Sequence, residues 1–375
     1  MLTTIVLILF LLYLIVIGSF ALGFDKVKEF PLEDLTAVNR FSVVIPFRNE
    51  AKNLPLLLKS ITSLNYPPAF FELIFVDDDS TDHSTEIIHA ALQDTPMTYR
   101  IITNHRQSPS PKKDAITAAI KTAKNAWIIT TDADCQLPKF WLDCFDEFIQ
   151  KQAPKVIVAP VTLHKTTTFF KRFQCLDVLS LQASTMGSFG INKPFMANGA
   201  NLGYHTSVFS KIGGFSDNNH MASGDDVFLL QKALTAFPKE VRYLKQLKAT
   251  VTTTPERTFK HFFYQRVRWA AKSSHYKSAF AKLTGLIVLL VNGGLISIGI
   301  LALAGYFNGH TLFKLFCLKF LIDFLLLFKA TRFFKQETAL RAYILSSVLY
   351  PFLTLLVVST SIFGSYKWKG RTFKK

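Results

Sequence analysis

The chain has 375 residues, 49% of them hydrophobic and 36 of them Phe, with 43 Lys and Arg against 26 Asp and Glu. The formal net charge of +17 suits a nucleic acid or a membrane surface, but no nucleic-acid motif accompanies it, and a basic, aromatic stretch fits an anionic leaflet better. The four cysteines, Cys135, Cys144, Cys175 and Cys317, show neither paired spacing nor His partners at zinc distances, so they read as reduced packing residues rather than a disulfide framework or a zinc site.

The apolar residues are unevenly spread, as in a membrane protein that carries a polar domain. Leu2 to Phe24 is an almost unbroken apolar run, long enough to cross a bilayer at about 20 residues per span. It lacks a basic leader and outruns the apolar core of a signal peptide, so residues 1–24 are expected to stay as a transmembrane anchor. Residues 25–282 are polar overall and of a size for one α/β domain.

Within that domain Ser42–Ile45 is predicted as a first strand, ended by Pro46, with Arg48-Asn49-Glu50 leading into a helix near Leu54–Leu64. Leu73–Val76 and Trp127–Thr130 are short apolar runs bounded by turn formers, which predicts buried parallel strands. Each is followed by an acidic cluster, Asp77-Asp78-Asp79 and Asp132-Ala133-Asp134, at the carboxyl end where open α/β sheets bind their ligands. Two carboxylates one residue apart offer hard oxygen ligands for Mg²⁺ or Mn²⁺ bridging a diphosphate. Asp77–Asp79 equally suit the cap of a helix over Thr81–Leu92. Lys112 stands before a helix over Ala115–Ala123, where the helix dipole disfavours a cation unless an anion is near, and Lys113 reads as its solvated neighbour. Phe169–Ser184 has helical apolar spacing, as a core helix or an interface helix. Gly224-Asp225-Asp226 before Val-Phe-Leu-Leu would begin a helix well. Gln265, Arg268 and Trp269 fall on one face of a further helix. They lie in a stretch whose seven Lys or Arg between Arg257 and Lys282 alternate with aromatic residues, so an interface helix is also expected here.

Three more apolar segments follow: Leu283–Tyr306, Leu312–Phe328 and Ala342–Phe363, giving a C-terminal membrane region over residues 283–375 with two to three spans. Lys26 and Lys28 after the anchor, and Lys272, Lys277 and Lys282 before the second segment, put the polar domain in the cytoplasm. The basic tail YKWKGRTFKK is expected there too, and three C-terminal crossings would leave it outside. Either the segment with Lys314, Lys319 and Asp323 lies along the interface, or Ala342–Phe363 breaks at Pro351 and returns.

The order of the pieces resembles the membrane-bound family 2 glycosyltransferases of the GT-A fold, an α/β, Rossmann-like domain for nucleotide-diphospho-sugars. The resemblance runs from Pro-x-Arg-Asn-Glu through FVDDDSTD, a lysine before Ala-Ile, TDADC, Asn198-Gly199-Ala200-Asn201 and Ser223-Gly224-Asp225-Asp226 to Gln265-Arg266-Val267-Arg268-Trp269, and covers about Phe41–Trp269. It implies that Asp77 and Asp78, with Glu50 nearby, bind the base and ribose of a nucleoside diphosphate, and that Lys112 meets the diphosphate. It further implies that Asp132 and Asp134 are the ribose and metal carboxylates, with Asp134 the direct ligand, and that Asp226 is the base deprotonating an acceptor hydroxyl. Asn198, Asn201, Asp225, Gln265, Arg268 and Trp269 would face the acceptor. Two positions depart from the pattern: Asp79 stands where many relatives have glycine, and Pro111 replaces another.

Together these readings predict a multi-pass enzyme of the cell inner membrane with a cytoplasmic catalytic domain. It would transfer a sugar from a nucleotide-sugar, with a UDP-sugar expected, to a lipid or lipid-linked hydroxyl, with inversion and with a Mg or Mn cofactor. A processive polysaccharide synthase is the closest rival, although so few apolar segments offer little for an export channel. A non-catalytic scaffold is disfavoured because Asp132, Asp134 and Asp226 are all present.

Overall fold

The structure, a computed structural model, describes residues 2–219, 221, 223–364, 366–368 and 371–373. Its elements in chain order are α1 (Leu2–Lys26), β1 (Phe41–Phe47), α2 (Leu54–Thr62), β2 (Phe71–Asp77), α3 (Ser84–Leu92), β3 (Thr98–Thr103), α4 (Pro111–Thr122), β4 (Trp127–Thr130), β5 (Cys135–Gln136), α5 (Trp141–Gln152), β6 (Val156–Val158) and β7 (Val161–Leu163). There follow α6 (Phe169–Gly190), β8 (Leu202–His205), α7 (Thr206–Lys211), α8 (Asp225–Ala236), β9 (Val241–Tyr243), β10 (Val251–Thr253), α9 (Phe259–Ala271), α10 (Ala279–Leu303), α11 (Gly309–Phe333), α12 (Tyr343–Phe363) and the hairpin β11 (Tyr366–Trp368) and β12 (Arg371–Phe373). Lys369, Gly370, Lys374 and Lys375 of the basic tail lie outside the described residues.

Two compact units result: Lys28–His164 with Met196–Thr254, and Met1–Val27 with Lys165–Phe195 and Pro255–Lys375. The first is built on a seven-stranded sheet of order β3-β2-β1-β4-β8-β6-β9. β1 pairs in parallel with β2 on one side and with β4 on the other, so the chain's first strand marks a topological switch point. β8 runs antiparallel to β4 and to β6. A second sheet joins β5, β10 and β7. The runs FSVVIPF and FELIFVD are apolar on both faces because helices cover both sides, which is the pattern of buried parallel strands. Phe41, Val43, Ile45, Leu73, Phe75 and Ile129 pack with Leu57, Ile61 and Ile88 of the flanking helices into one core. All three predicted strands therefore form, and the loops at their carboxyl ends carry Glu50, Asp78, Asp132 and Asp134.

The second unit gathers the long helices. Among the described residues three, Leu2–Lys26, Ala279–Leu303 and Glu337–Phe363, are long and apolar enough to cross a membrane. α6, for which core and interface readings were both open, packs within this unit on α1 through glycines. A Cβ on Gly190 would stand 1.9 Å from the carbonyl oxygen of Gly23, and one on Gly187 would stand 2.4 Å from that of Phe20, so the two backbones approach as only small residues allow. α11 combines apolar residues with charges whose partners are close: Asp323 accepts from the Tyr13 hydroxyl at 2.6 Å and from Lys319 at 2.6 Å. α12 runs through Pro351 as one helix, so it does not break and return there.

Candidate active site

The two loops that leave β1 and β2 are held together by short polar contacts. The Asp78 N–H donates to the Phe47 carbonyl at 2.9 Å, and the Glu50 N–H donates to Ser84 Oγ at 2.9 Å. Glu50 is buried and accepts from Asn53 Nδ2 at 2.6 Å. Asp77 Oδ1 accepts the Ser80 N–H at 2.9 Å, closing a turn. The carboxylates do not cap α3, the alternative left open by the sequence: that helix starts at Ser84, and Asp82 takes the Ser84 N–H at 3.1 Å. Asp78 is buried and accepts from Asn104 Nδ2 at 2.8 Å and Arg106 Nε at 2.7 Å. Asp79 adopts φ 65°, the left-handed region that explains why glycine would suit this position, and an aspartate tolerates it with its carboxylate on Arg48 at 3.1 Å and Arg106 at 3.5 Å. Arg106 was not expected here. Its single signal is a basic residue just past the carboxyl end of β3.

Lys112 joins two of the acidic positions. Its ammonium donates to Asp132 Oδ1 at 2.7 Å and lies 3.2 Å from Asp225 Oδ2. Burial works against its charge, but the fields of Asp132 and Asp225, the hydrogen bond to Asp132 and the field of Asp226 outweigh it and raise the pKa. Lys112 thus stands at the first turn of α4 with the anions that its position on the dipole demands. Lys113 is not a solvated neighbour as expected. It is buried and donates to the carbonyls of Asn218 and Met221, at 2.5 and 3.0 Å, which anchors the loop ahead of α8.

Asp225 and Asp226 are the first two residues of α8, after Gly224 in the left-handed region at φ 91°. Asp226 Oδ1 accepts the Val227 N–H at 2.7 Å, and Oδ2 faces the Gly199 N–H at 3.4 Å. Asp225, expected on the acceptor side, is instead buried against Lys112, whereas the Asp132 side chain keeps 37% of its surface exposed and stays reachable. Gly199 has no room for a side chain: a Cβ there would meet Asp225 Oδ2 at 2.6 Å and Lys112 Nζ at 3.2 Å. Asn198 Oδ1 accepts the Ala200 N–H at 3.0 Å and shapes this turn.

Asn201 departs from the sequence expectation. It was assigned to the acceptor, but it is fully buried, accepts from Trp141 Nε1 at 2.9 Å and donates to the carbonyls of Pro160 and Ala249 at 2.8 Å each. Those bonds make it a structural tie between α5 and the segments entering the second sheet, with both amide hydrogens and an oxygen lone pair spent inside a fully buried side chain.

Asp132 and Asp134 leave the end of β4 on one turn. Among the described residues no group of three or more His, Cys, Asp and Glu side chains could hold a metal ion alone. Two carboxylate donors are nevertheless the set that Mg²⁺ or Mn²⁺ takes when phosphate and water complete its shell. Cys135 is no soft competitor, because burial and then the Asp134 carboxylate push its thiol well above the usual range and keep it protonated.

Gln265, Arg268 and Trp269 lie on α9, in the unit of the long helices. There Gln265 donates to Glu256 Oε1 at 3.1 Å and accepts from Arg266 Nη1 at 2.7 Å, while Arg266 pairs with buried Asp177 and lies 4.2 Å above the Trp269 ring. Arg266, which the motif leaves unspecified, is therefore the buried cation of this helix.

A mixed sheet that is parallel from β3 to β4, with acidic turns on both sides of its switch point and a lysine between them, is the arrangement of the GT-A class of α/β domains. Residues 42–213 match the model of Glycosyl transferase family 2. Glycosyltransferase AglE of Haloferax volcanii is 26% identical over 197 residues, 52% of this chain and 61% of that protein. Undecaprenyl-phosphate 4-deoxy-4-formamido-L-arabinose transferase of Photorhabdus laumondii is 39% identical over 103 residues, 27% of this chain and 31% of that protein. The matched segments thus span less than two thirds of these curated relatives. Among solved structures, mannosyltransferase PcManGT from Pyrobaculum calidifontis, in complex with GDP-Man and Mn²⁺, superposes with a TM-score of 0.55 at 14% identity, over 97% of this chain and 99% of that one. Residues 42–213 thus match family 2 glycosyltransferases, the chain has the GT-A fold, and among the described residues three helices are long and apolar enough to cross a membrane.

Proposed function

We propose that the chain transfers a sugar from a nucleoside-diphosphate donor to a hydroxyl of a lipid or lipid-linked acceptor, with inversion. The observation that carries this reading is Lys112, whose ammonium spans Asp132 of the donor turn and Asp225 at the head of α8 and so gathers three distant segments at one point. Glu50, Asp77 and Asp78 line the nucleotide side, where carboxylates accept from imide N–H and ribose hydroxyl groups. Lys112 offers a fixed cation to the diphosphate. Asp134, with Asp132, would hold a divalent cation, which when bound neutralises charge on the departing nucleoside diphosphate. The complex of PcManGT with Mn²⁺ supports that assignment by fold.

Asp226 receives the proton of the acceptor hydroxyl as that oxygen attacks the anomeric carbon from the face opposite the leaving group. A relative is named for transfer on undecaprenyl phosphate, so a lipid acceptor is supported, yet a phosphate acceptor is already ionised near pH 7 and needs no base. The carboxylate at the start of α8 favours a hydroxyl. Asn198 and the α9 residues Gln265, Arg268 and Trp269 are proposed to meet the acceptor.

The domain arrangement proposed is an anchor over residues 1–24, a cytoplasmic catalytic domain over 25–282 and a membrane region over 283–375, in the inner membrane. The charges flanking Leu2–Lys26 and Ala279–Leu303 support the cytoplasmic side. Binding of UDP- and GDP-sugars to detergent-purified protein with Mn²⁺ or Mg²⁺ tests the donor half. Affinity that falls at least tenfold on chelation and in Asp134→Asn is expected, and donor affinity indifferent to both would contradict the metal assignment.

A further inference from the structure

Thr130 is the last residue of β4, two before Asp132, and is buried. Its hydroxyl donates to the Gly199 carbonyl at 2.7 Å. Gly199 in turn directs its N–H at Asp226 Oδ2, 3.4 Å away, and packs its bare Cα where a methyl group would strike Asp225 and Lys112. One hydroxyl on the donor strand therefore grips the turn that touches both carboxylates of α8.

We propose that Thr130 is a positioning residue for the transfer: through Gly199 it sets the distance between the donor turn at Asp132 and the proposed base Asp226. This inference rests on the reading of Asp226 as the base. Thr130 touches no substrate. It acts because a base must sit within hydrogen-bond reach of the acceptor hydroxyl while the donor carboxylates hold the leaving group, and an error of about 1 Å in such a constellation costs up to about 100-fold in rate. Without the hydroxyl the Gly199 carbonyl loses its bond to the strand, and the turn, still tied at Asn201 and along the β4–β8 ladder, is expected to shift at Gly199 relative to Asp132. The hydroxyl bonds only to backbone carbonyls and touches none of the side chains proposed to hold the donor, so the loss is expected in kcat and not in donor KM.

The test uses full-length protein in detergent, with UDP-glucose, UDP-N-acetylglucosamine and GDP-mannose as donors and a membrane lipid extract as acceptor. Thr130→Val is expected to lower kcat about 10- to 100-fold with donor KM within about twofold of wild type. Thr130→Ser, which restores the hydroxyl, is expected to return kcat to within about threefold. Should Val unfold the domain, the Thr130→Ala and Thr130→Ser pair differs by the hydroxyl alone, and the same kcat gap is expected between them. Equal kcat in Ser and Ala, or a loss confined to donor KM, would overturn the proposal while Asp226→Asn remains inactive. Wild-type activity in Asp226→Asn would instead overturn the base assignment, and the positioning role with it.

Discussion

Asn201 and Lys112 are both polar side chains at the site, and they divide by what occupies them. Asn201 satisfies Trp141 and two carbonyls inside the protein, and each such group left unpaired costs about 1–3 kcal/mol. Asn201→Ala is therefore expected to destabilise the domain by several kcal/mol, read as a fall in Tm, with acceptor KM unchanged in the folded fraction. A shift in acceptor KM at unchanged Tm would return Asn201 to the acceptor. Lys112 carries a pKa raised above its ordinary 10.5 by Asp132 and Asp225. A raised value in the folded state means that its pairing stabilises fully below about pH 10.5 and fades as pH rises through the folded value. The Tm difference between wild type and Lys112→Met is thus expected to stay constant from pH 6 to 9 and to shrink only in more alkaline buffer. Variation inside the neutral range would assign the difference to another group.

At the level of elements, the strands that the sequence declared, β1, β2 and β4, hold apolar runs bounded by turn formers, around Val43–Ile45, Leu73–Val76 and Trp127–Thr130. β6, β7, β9 and β10 have three residues each, too few for a period of two to stand out, and they escaped notice. The acidic turns were legible because their place at strand ends is a local matter. The ion pairs of Asp78 with Arg106 and of Asp177 with Arg266 were not, since nothing local in a sequence tells which distant cation meets which carboxylate. The glycines of α6 were likewise silent until α1 was seen against them. Gly190→Val would drive a side chain into the Gly23 carbonyl and is expected to cost about 1–3 kcal/mol or more, whereas Gly299→Val, with open space around it, is expected to leave Tm within a degree or two. Equal thermal stability of the two variants in detergent would mean that α1 and α6 do not pack as described.

In the whole molecule, Phe169–Gly190 and Phe259–Ala271, which the sequence set inside a single polar domain, belong by packing to the unit of the apolar helices, so the proposed acceptor motif on α9 is carried by the unit that holds the three candidate membrane helices. That division suits an enzyme whose donor is soluble and whose acceptor is a lipid. Its most direct test is transfer of labelled sugar from the donor panel to a lipid extract by detergent-purified protein, wild type beside Asp226→Asn. A lipid-soluble labelled product that needs Mn²⁺ or Mg²⁺ and disappears in Asp226→Asn, with donor binding retained, is the predicted result. Undiminished product in Asp226→Asn, or product formed equally well with all divalent cation chelated, would contradict it.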